Sequence, residues 1–179
     1  MKPYPILTKN FIEFFIKKDL SEKILLELGS GLSTIFWAEY FKKVYSYEGD
    51  PNWIKKLEEY GIPKNVELFI VKDSSTLLPN PLFMEHSFVS QVMSSDYIII
   101  DNHHTPISRE EYAKFVTIHK KEESQIILDN GTWQPSAYKF LQENFFCRDF
   151  PGINIENEIT VTSLFFERKT EKYNYGISQ

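Results

Sequence analysis

Cysteine is almost missing from this chain. Cys147 stands alone among 179 residues, so no internal disulfide can staple the fold, and no Cys/His cluster carries zinc-site spacing. No apolar run approaches the ~20 residues that a membrane-spanning helix needs, and Met1-Lys2-Pro3-Tyr4-Pro5 lacks the apolar core of a secretory leader. Basic charge is also short: 20 Lys and Arg face 25 Asp and Glu, and the net charge of -5 leaves no electrostatic footprint for nucleic acid. Internal repeats, low-complexity tracts and linkers are absent too. Together these absences set the expectation of a reducing, cytoplasmic setting without a membrane. They also suggest a single domain over residues 1–179, with hydrophobic residues at 42% and aromatics at 16% to fill its core.

What is present is a regular alternation of short apolar runs and helical patterns. Residues 8–18 place Phe11, Ile12, Phe14, Phe15 and Ile16 on one broad helical face. Within residues 1–20 this helix is expected either to dock on the domain or to close over a ligand site as a lid. The run Ile24-Leu25-Leu26-Glu27-Leu28 then leads into Gly29-Ser30-Gly31-Leu32-Ser33-Thr34, and a helix is expected from Ile35 to Phe41. A second strand, Val44 to Tyr47, ends at Glu48. Asp50-Pro51 is a helix start signal, and Gly61 with Pro63 a stop. Val66 to Val71 is a third strand, followed by Asp73; a short helix is expected from Leu82 to Val92.

The run Asp96 to Ile100 is a fourth strand ending at Asp101. Ser108 and Glu111 form a capping box opening a helix to about Lys120. Gln125 to Leu128 is a fifth strand ending at Asp129-Asn130-Gly131, followed by a helix from Pro135 to Asn144. Phe145–Phe150 and Ile159–Glu167 are two further strands with no helix between them, hence an antiparallel pair at a sheet edge. The chain thus reads as a doubly wound α/β domain, whose ligands sit beyond the carboxyl ends of the strands.

Five acids stand at or next to such ends: Glu27, Glu48, Asp73, Asp101 and Asp129. Taken singly, each is as well explained by capping a helix or facing solvent. Directed at one rim, carboxylates can accept hydrogen bonds from ribose hydroxyls, an adenine amino group or an ammonium, and two can share a divalent cation. The runs ILLELGSGLSTIFWA, VYSYEGDPNW, DYIIID and IILDNGTW resemble the class I S-adenosylmethionine-dependent methyltransferases, over about residues 22 to 168. That resemblance implies a Rossmann-like, mostly parallel seven-stranded sheet with an antiparallel C-terminal strand, which separates these enzymes from nicotinamide-binding relatives. It places Glu27, Gly29, Ser30 and Gly31 around the methionine part of the cofactor, with Ser33 and Thr34 assisting through hydroxyls or helix capping. Glu48 would take the ribose hydroxyls and Asp73 would lie near the adenine. Trp53 would either pack on that edge or serve as helix core.

The acid after strand four plus Asp-Asn after strand five is similar to the catechol and caffeoyl-CoA type O-methyltransferases, where three such residues bind a divalent metal. The resemblance thus offers Asp101, Asp129 and Asn130 as ligands for Mg²⁺. His104 stands where those relatives carry a basic residue, with His103 as its competitor; a histidine can remove a hydroxyl proton near neutral pH. Against the metal, the chain lacks those relatives' Gly-Gly before strand five, and its tail looks like that of small bacterial methyltransferases of glycan modification. Asp101 would there bind the cofactor's ammonium instead.

The expected activity is therefore methyl transfer to an oxygen of a small-molecule or saccharide acceptor, a homodimer being left open. Phe83, His86 and Trp133 would be available in acceptor-side loops. Two alternatives stand beside it: a non-catalytic module that binds S-adenosylmethionine, and a nicotinamide-dependent oxidoreductase. The second is favoured by Glu48 lying about 20 residues after Gly29, and disfavoured by Thr34 at the third glycine's position.

Overall fold

Strands buried on both faces read as continuous apolar runs, and the runs at residues 24–28, 97–100 and 125–128 build the centre of one sheet. The computed structural model describes residues 3–71, 81–102 and 107–167. In chain order its strands are β1 Ile24–Leu28, β2 Lys43–Glu48, β3 Val66–Ile70, β4 Tyr97–Ile100, β5 Gln125–Leu128, β6 Phe146–Ile153 and β7 Ile159–Phe166. Its helices are α1 Lys9–Phe15, α2 Leu32–Ala38, α3 Pro51–Tyr60, α4 His86–Ser94, α5 Arg109–His119 and α6 Pro135–Asn144, with a 3-10 turn at Pro81–Met84. The strands lie in the order β3-β2-β1-β4-β5-β7-β6. β1 to β5 pair parallel, and β7 runs antiparallel between β5 and β6. This is the expected doubly wound, Rossmann-like sheet with its antiparallel C-terminal strand.

Alternation divides the core. Leu26, Leu28, Ile98, Ile100, Ile126 and Leu128 face Phe88, Tyr112, Val116 and Leu141 from α4, α5 and α6. Leu25, Val44, Tyr97, Ile99 and Ile127 face Phe11, Ile12 and Phe15 of α1 and Phe36 and Trp37 of α2. Phe15 is fully buried and meets Trp37 and Tyr97 edge-on, so α1 is anchored to the sheet by its apolar face.

The local signals act as the sequence implies. Asp50 Oδ1 accepts the Asn52 N–H at 2.8 Å, with Pro51 at the first helical position of α3. Ser108 and Glu111 form their reciprocal capping box. Several boundaries differ from expectation: the helix expected from Leu82 to Val92 divides into the 3-10 turn at Pro81–Met84 and α4 from His86, and α2 ends at Ala38 rather than Phe41. α1 stops at Phe15 rather than near residue 18. α2 starts at Leu32 rather than Ile35, because the Thr34 hydroxyl accepts the Gly31 N–H and draws Ser33 and Thr34 into the first turn. β6 continues through Pro151 to Ile153, tolerated because β6 is an edge strand and proline there forfeits no ladder bond.

Among the described residues no helix is long and apolar enough to cross a membrane. Truncating Phe15 to alanine removes a fully buried ring and should cost about 3–5 kcal/mol of unfolding free energy in a urea titration. A loss below about 1 kcal/mol would mean that α1 is not part of the core.

Candidate functional site

The carboxyl ends of β1 and β2 form a small polar chamber in an otherwise apolar sheet. Glu27 and Ser46 are register partners, and alternation puts Glu48 on the same face, beneath the first turn of α2. Glu27 is 1% exposed. A carboxylate so buried requires donors, and hydroxyls supply them. Thr34 donates to Glu27 Oε2 at 2.5 Å, Ser46 donates to the same oxygen at 2.9 Å, and Ser33 adds a further hydrogen bond. The Ser30 and Ser46 hydroxyls are 2.6 Å apart, continuing the chain toward Glu48.

Glu48 is held entirely by backbone. Its Oε2 accepts the Ser30 N–H at 2.8 Å, and its Oε1 accepts the Gly49 and Asp50 N–H groups, each at 2.7 Å. Two carboxylate oxygens offer about four acceptor positions, so one remains for a ligand. Burial raises both acids. Glu27 is pushed up to about 7 by desolvation, resisted by the Thr34, Ser33 and Ser46 hydroxyls. Glu48 is raised for the same reason and pulled back by its three N–H donors.

The two glycines of the β1–α2 turn have different physical reasons. Gly29 has φ +104°, and a Cβ there would stand 2.6 Å from the Asp101 carbonyl oxygen and 2.7 Å from the Asn102 backbone. The fold alone demands that glycine. At Gly31 the backbone is extended, and a Cβ would meet Ser33 and the Trp53 ring only at ordinary contact distances of 3.7 and 3.8 Å. Nothing in the protein's own packing requires Gly31 to lack a side chain. Trp53 thus flanks the glycine turn from α3, with the Lys56 ammonium 4.1 Å from the centroid of its ring.

At the ends of β4 and β5 the structure brings Asp101 and Asp129 together, and adds a residue that motif reasoning missed. Arg109, 4% exposed, donates from Nε to the Asn102 carbonyl at 2.9 Å, from Nη1 to the Asp129 carbonyl at 2.5 Å and from Nη2 to Asp101 Oδ1 at 3.0 Å. Its signal was an arginine at the first position of α5, where the helix dipole disfavours a cation. Such a placement needs a partner elsewhere.

Burial lifts Asp101 to about 6, against the pull of the Arg109 guanidinium. Asp129 is raised well above the carboxylate range, first by burial and then by the charge of Asp101. Asp129 Oδ1 accepts the Thr162 hydroxyl at 2.8 Å, while its buried Oδ2 has no hydrogen-bond partner. Asn130 holds a left-handed φ of 51°, and its Oδ1 accepts the Thr160 hydroxyl.

This donor set does not fit a divalent ion. A guanidinium already stands against Asp101 Oδ1, the Asn130 oxygen is engaged by Thr160, and the Thr162 hydroxyl holds one oxygen of Asp129. Among the described residues no group of three His, Cys, Asp or Glu side chains could hold a metal. Mg²⁺ is therefore unsupported. Asp73, His103 and His104 lie outside the described residues. Of the expected acceptor-side aromatics, Phe83 is spent in packing, stacked on Phe115 with centroids 4.4 Å apart, whereas Trp133 is 52% exposed.

No protein-family model matches this chain, and no curated protein matches it. Solved structures do share its fold. Precorrin-6y C5,15-methyltransferase from Geobacter metallireducens aligns with a TM-score of 0.58 at 15% identity, over 92% of this chain and 100% of the other. A candidate O-methyltransferase from Klebsiella pneumoniae aligns at 0.60 and 16%, over 89% and 79%. A candidate methyltransferase from Streptococcus mutans, solved in complex with SAH, aligns at 0.55 and 15%, over 86% and 93%. At such identities the likeness is one of fold: the Rossmann-like fold of methyltransferases.

Because Glu27 moves from an ordinary 4.5 to about 7 on folding, the folded chain keeps a proton across that window that the unfolded chain has lost. Its stabilising effect is complete below pH 4.5 and gone once the pH passes about 7. Urea titrations should show wild type losing about 3 kcal/mol more than Glu27→Gln across this window. Parallel pH profiles for the two proteins would refute the assignment.

Proposed function

We propose that this protein is an S-adenosylmethionine-dependent methyltransferase acting on a hydroxyl oxygen of a small-molecule or saccharide acceptor. The observation that carries the reading is Gly31. Its missing side chain answers no need of the fold, yet it sits in the turn flanked by Glu27, Glu48 and Trp53. A ligand approaching the backbone there would explain it. The polar chamber fits a nucleoside attached to an amino acid. Glu48 keeps an acceptor position for a ribose hydroxyl, and the turn of Gly29, Ser30 and Gly31 would lie along the methionine part, with Glu27 beneath it.

When bound, S-adenosylmethionine would supply an electrophilic sulfonium methyl group. The chain's own contribution is placement. The hydroxyl-braced Glu27 and the N–H-braced Glu48 cannot swing, so the donor would be fixed before the acceptor arrives, and alignment would supply most of the rate. Proton removal from the acceptor hydroxyl would fall to His104 or His103, worth about 10²–10⁴-fold. Asp101, beside the Gly29 turn, would receive the ammonium of the methionine part. The oxidoreductase reading is weakened by Thr34, whose hydroxyl is committed to Glu27 at the position where the dinucleotide fingerprint carries its third glycine.

Calorimetric titration with S-adenosylmethionine and S-adenosylhomocysteine should give micromolar binding, and Glu48→Ala should weaken both. Gly31→Ala should melt like wild type yet bind at least about tenfold more weakly, because a Cβ meets the ligand and not the protein. Gly29→Ala should be severely destabilised. No binding of either ligand, or tighter binding of NAD, would overturn the reading. Binding without methyl release toward phenolic or sugar acceptors would favour the non-catalytic module.

A further inference from the structure

The unusual feature of the rim is a buried arginine where the arrangement of acids would invite a metal ion. Arg109 occupies the first helical position of α5, next to Glu110 and Glu111, and a cation there opposes the helix dipole. Its three hydrogen bonds reach the Asn102 carbonyl beyond β4, the Asp129 carbonyl beyond β5 and the Asp101 carboxylate. One planar cation therefore ties the end of β4, through the Asn102 carbonyl and the neighbouring Asp101 carboxylate, to the end of β5. A guanidinium does this through a fixed fork of donors, which a lysine ammonium cannot reproduce. Asp101 is pinned from the other side as well: its N–H donates to the Leu28 carbonyl at 2.8 Å, and its own carbonyl abuts the Gly29 turn.

We propose that Arg109 is the resident cation of this site, replacing a divalent metal between the β4 and β5 ends and acting as the positioning residue that holds Asp101 against the Gly29 turn. The site then works without added metal, and its acids keep their places whether or not an ion is available. This deepens the cofactor-site reading above and rests on it for the role of Asp101, but the claim about the cation stands apart.

Two measurements test it. The first is made on wild type, comparing melting temperature and S-adenosylhomocysteine affinity in excess EDTA with those in millimolar MgCl₂ or MnCl₂. Both quantities should be unchanged. An ion-dependent rise in melting temperature, or a tightening of affinity, that Asp101→Asn abolishes would overturn the proposal. The second uses Arg109→Met, Arg109→Lys and Arg109→Ala. Each should weaken S-adenosylhomocysteine by about tenfold or more, since removing one partner leaves buried acceptors unpaired. Added methylguanidinium should restore affinity to Arg109→Ala but not to Arg109→Met, whose side chain fills the space.

Wild-type affinity in Arg109→Met, or no rescue of Arg109→Ala, would contradict the positioning role. If the variants fail to fold, the wild-type ion titration decides. If wild type binds no S-adenosylhomocysteine, the functional reading fails, while the ion-dependent melt still tests the resident cation.

Discussion

The site depends on one close approach of backbone to backbone. At Gly29, φ is +104° and the Asp101–Asn102 peptide lies within 2.7 Å of where a side chain would begin. Only glycine permits it. That approach closes the end of β1 onto the end of β4, so that the turn carrying Ser30 and Gly31 and the loop carrying Asp101 share one wall. The Leu28 carbonyl accepts the Asp101 N–H at 2.8 Å, and the Tyr47 carbonyl accepts the Gly29 N–H at 2.9 Å. Three strands are laced together at their carboxyl ends before any side chain is considered.

On that wall the acids are kept in place by two different means. Around Glu27 and Glu48 the donors are neutral, hydroxyls for the first and backbone N–H groups for the second. Burial raises both acids, and these neutral donors offset part of that cost. Around Asp101 and the β5 end the donor is a full positive charge, that of Arg109. The site thus divides into a half organised by dipoles and a half organised by an internal ion pair. In the second half the Asp129 Oδ2 is buried without a hydrogen-bond partner, and burial raises that carboxyl.

Much of this was legible in the sequence for reasons that are local. The apolar runs of β1, β4 and β5 marked strands because parallel strands covered on both faces need no polar alternation. Asp50-Pro51 and the Ser108/Glu111 box marked helix starts because capping bonds span only two or three residues. The acids at the strand ends stood out because carboxylates are rare beside fully buried segments.

What escaped the sequence arises through space. Ser46 looks like an incidental polar residue between Tyr45 and Tyr47, and only the register of β1 against β2 brings it to Glu27. Arg109 looks like an exposed helix residue until β4 and β5 stand side by side. Phe83 reads as a loop aromatic along the chain, and only the fold stacks it on Phe115. The suggestion of a metal is unsupported for the same reason: Asp101, Asp129 and Asn130 have a ligand-like order along the chain, but partners that hold them come from α5 and β7.

The most direct test of the account is a crystal structure with S-adenosylhomocysteine and MgCl₂ present together. The account predicts the ligand beyond the ends of β1 and β2, against Gly31 and within hydrogen-bonding distance of Glu48, with the Arg109 guanidinium still on Asp101 and no ion between the β4 and β5 ends. A ligand bound away from the Gly31 turn, or an ion joining Asp101, Asp129 and Asn130 with Arg109 displaced, would contradict it.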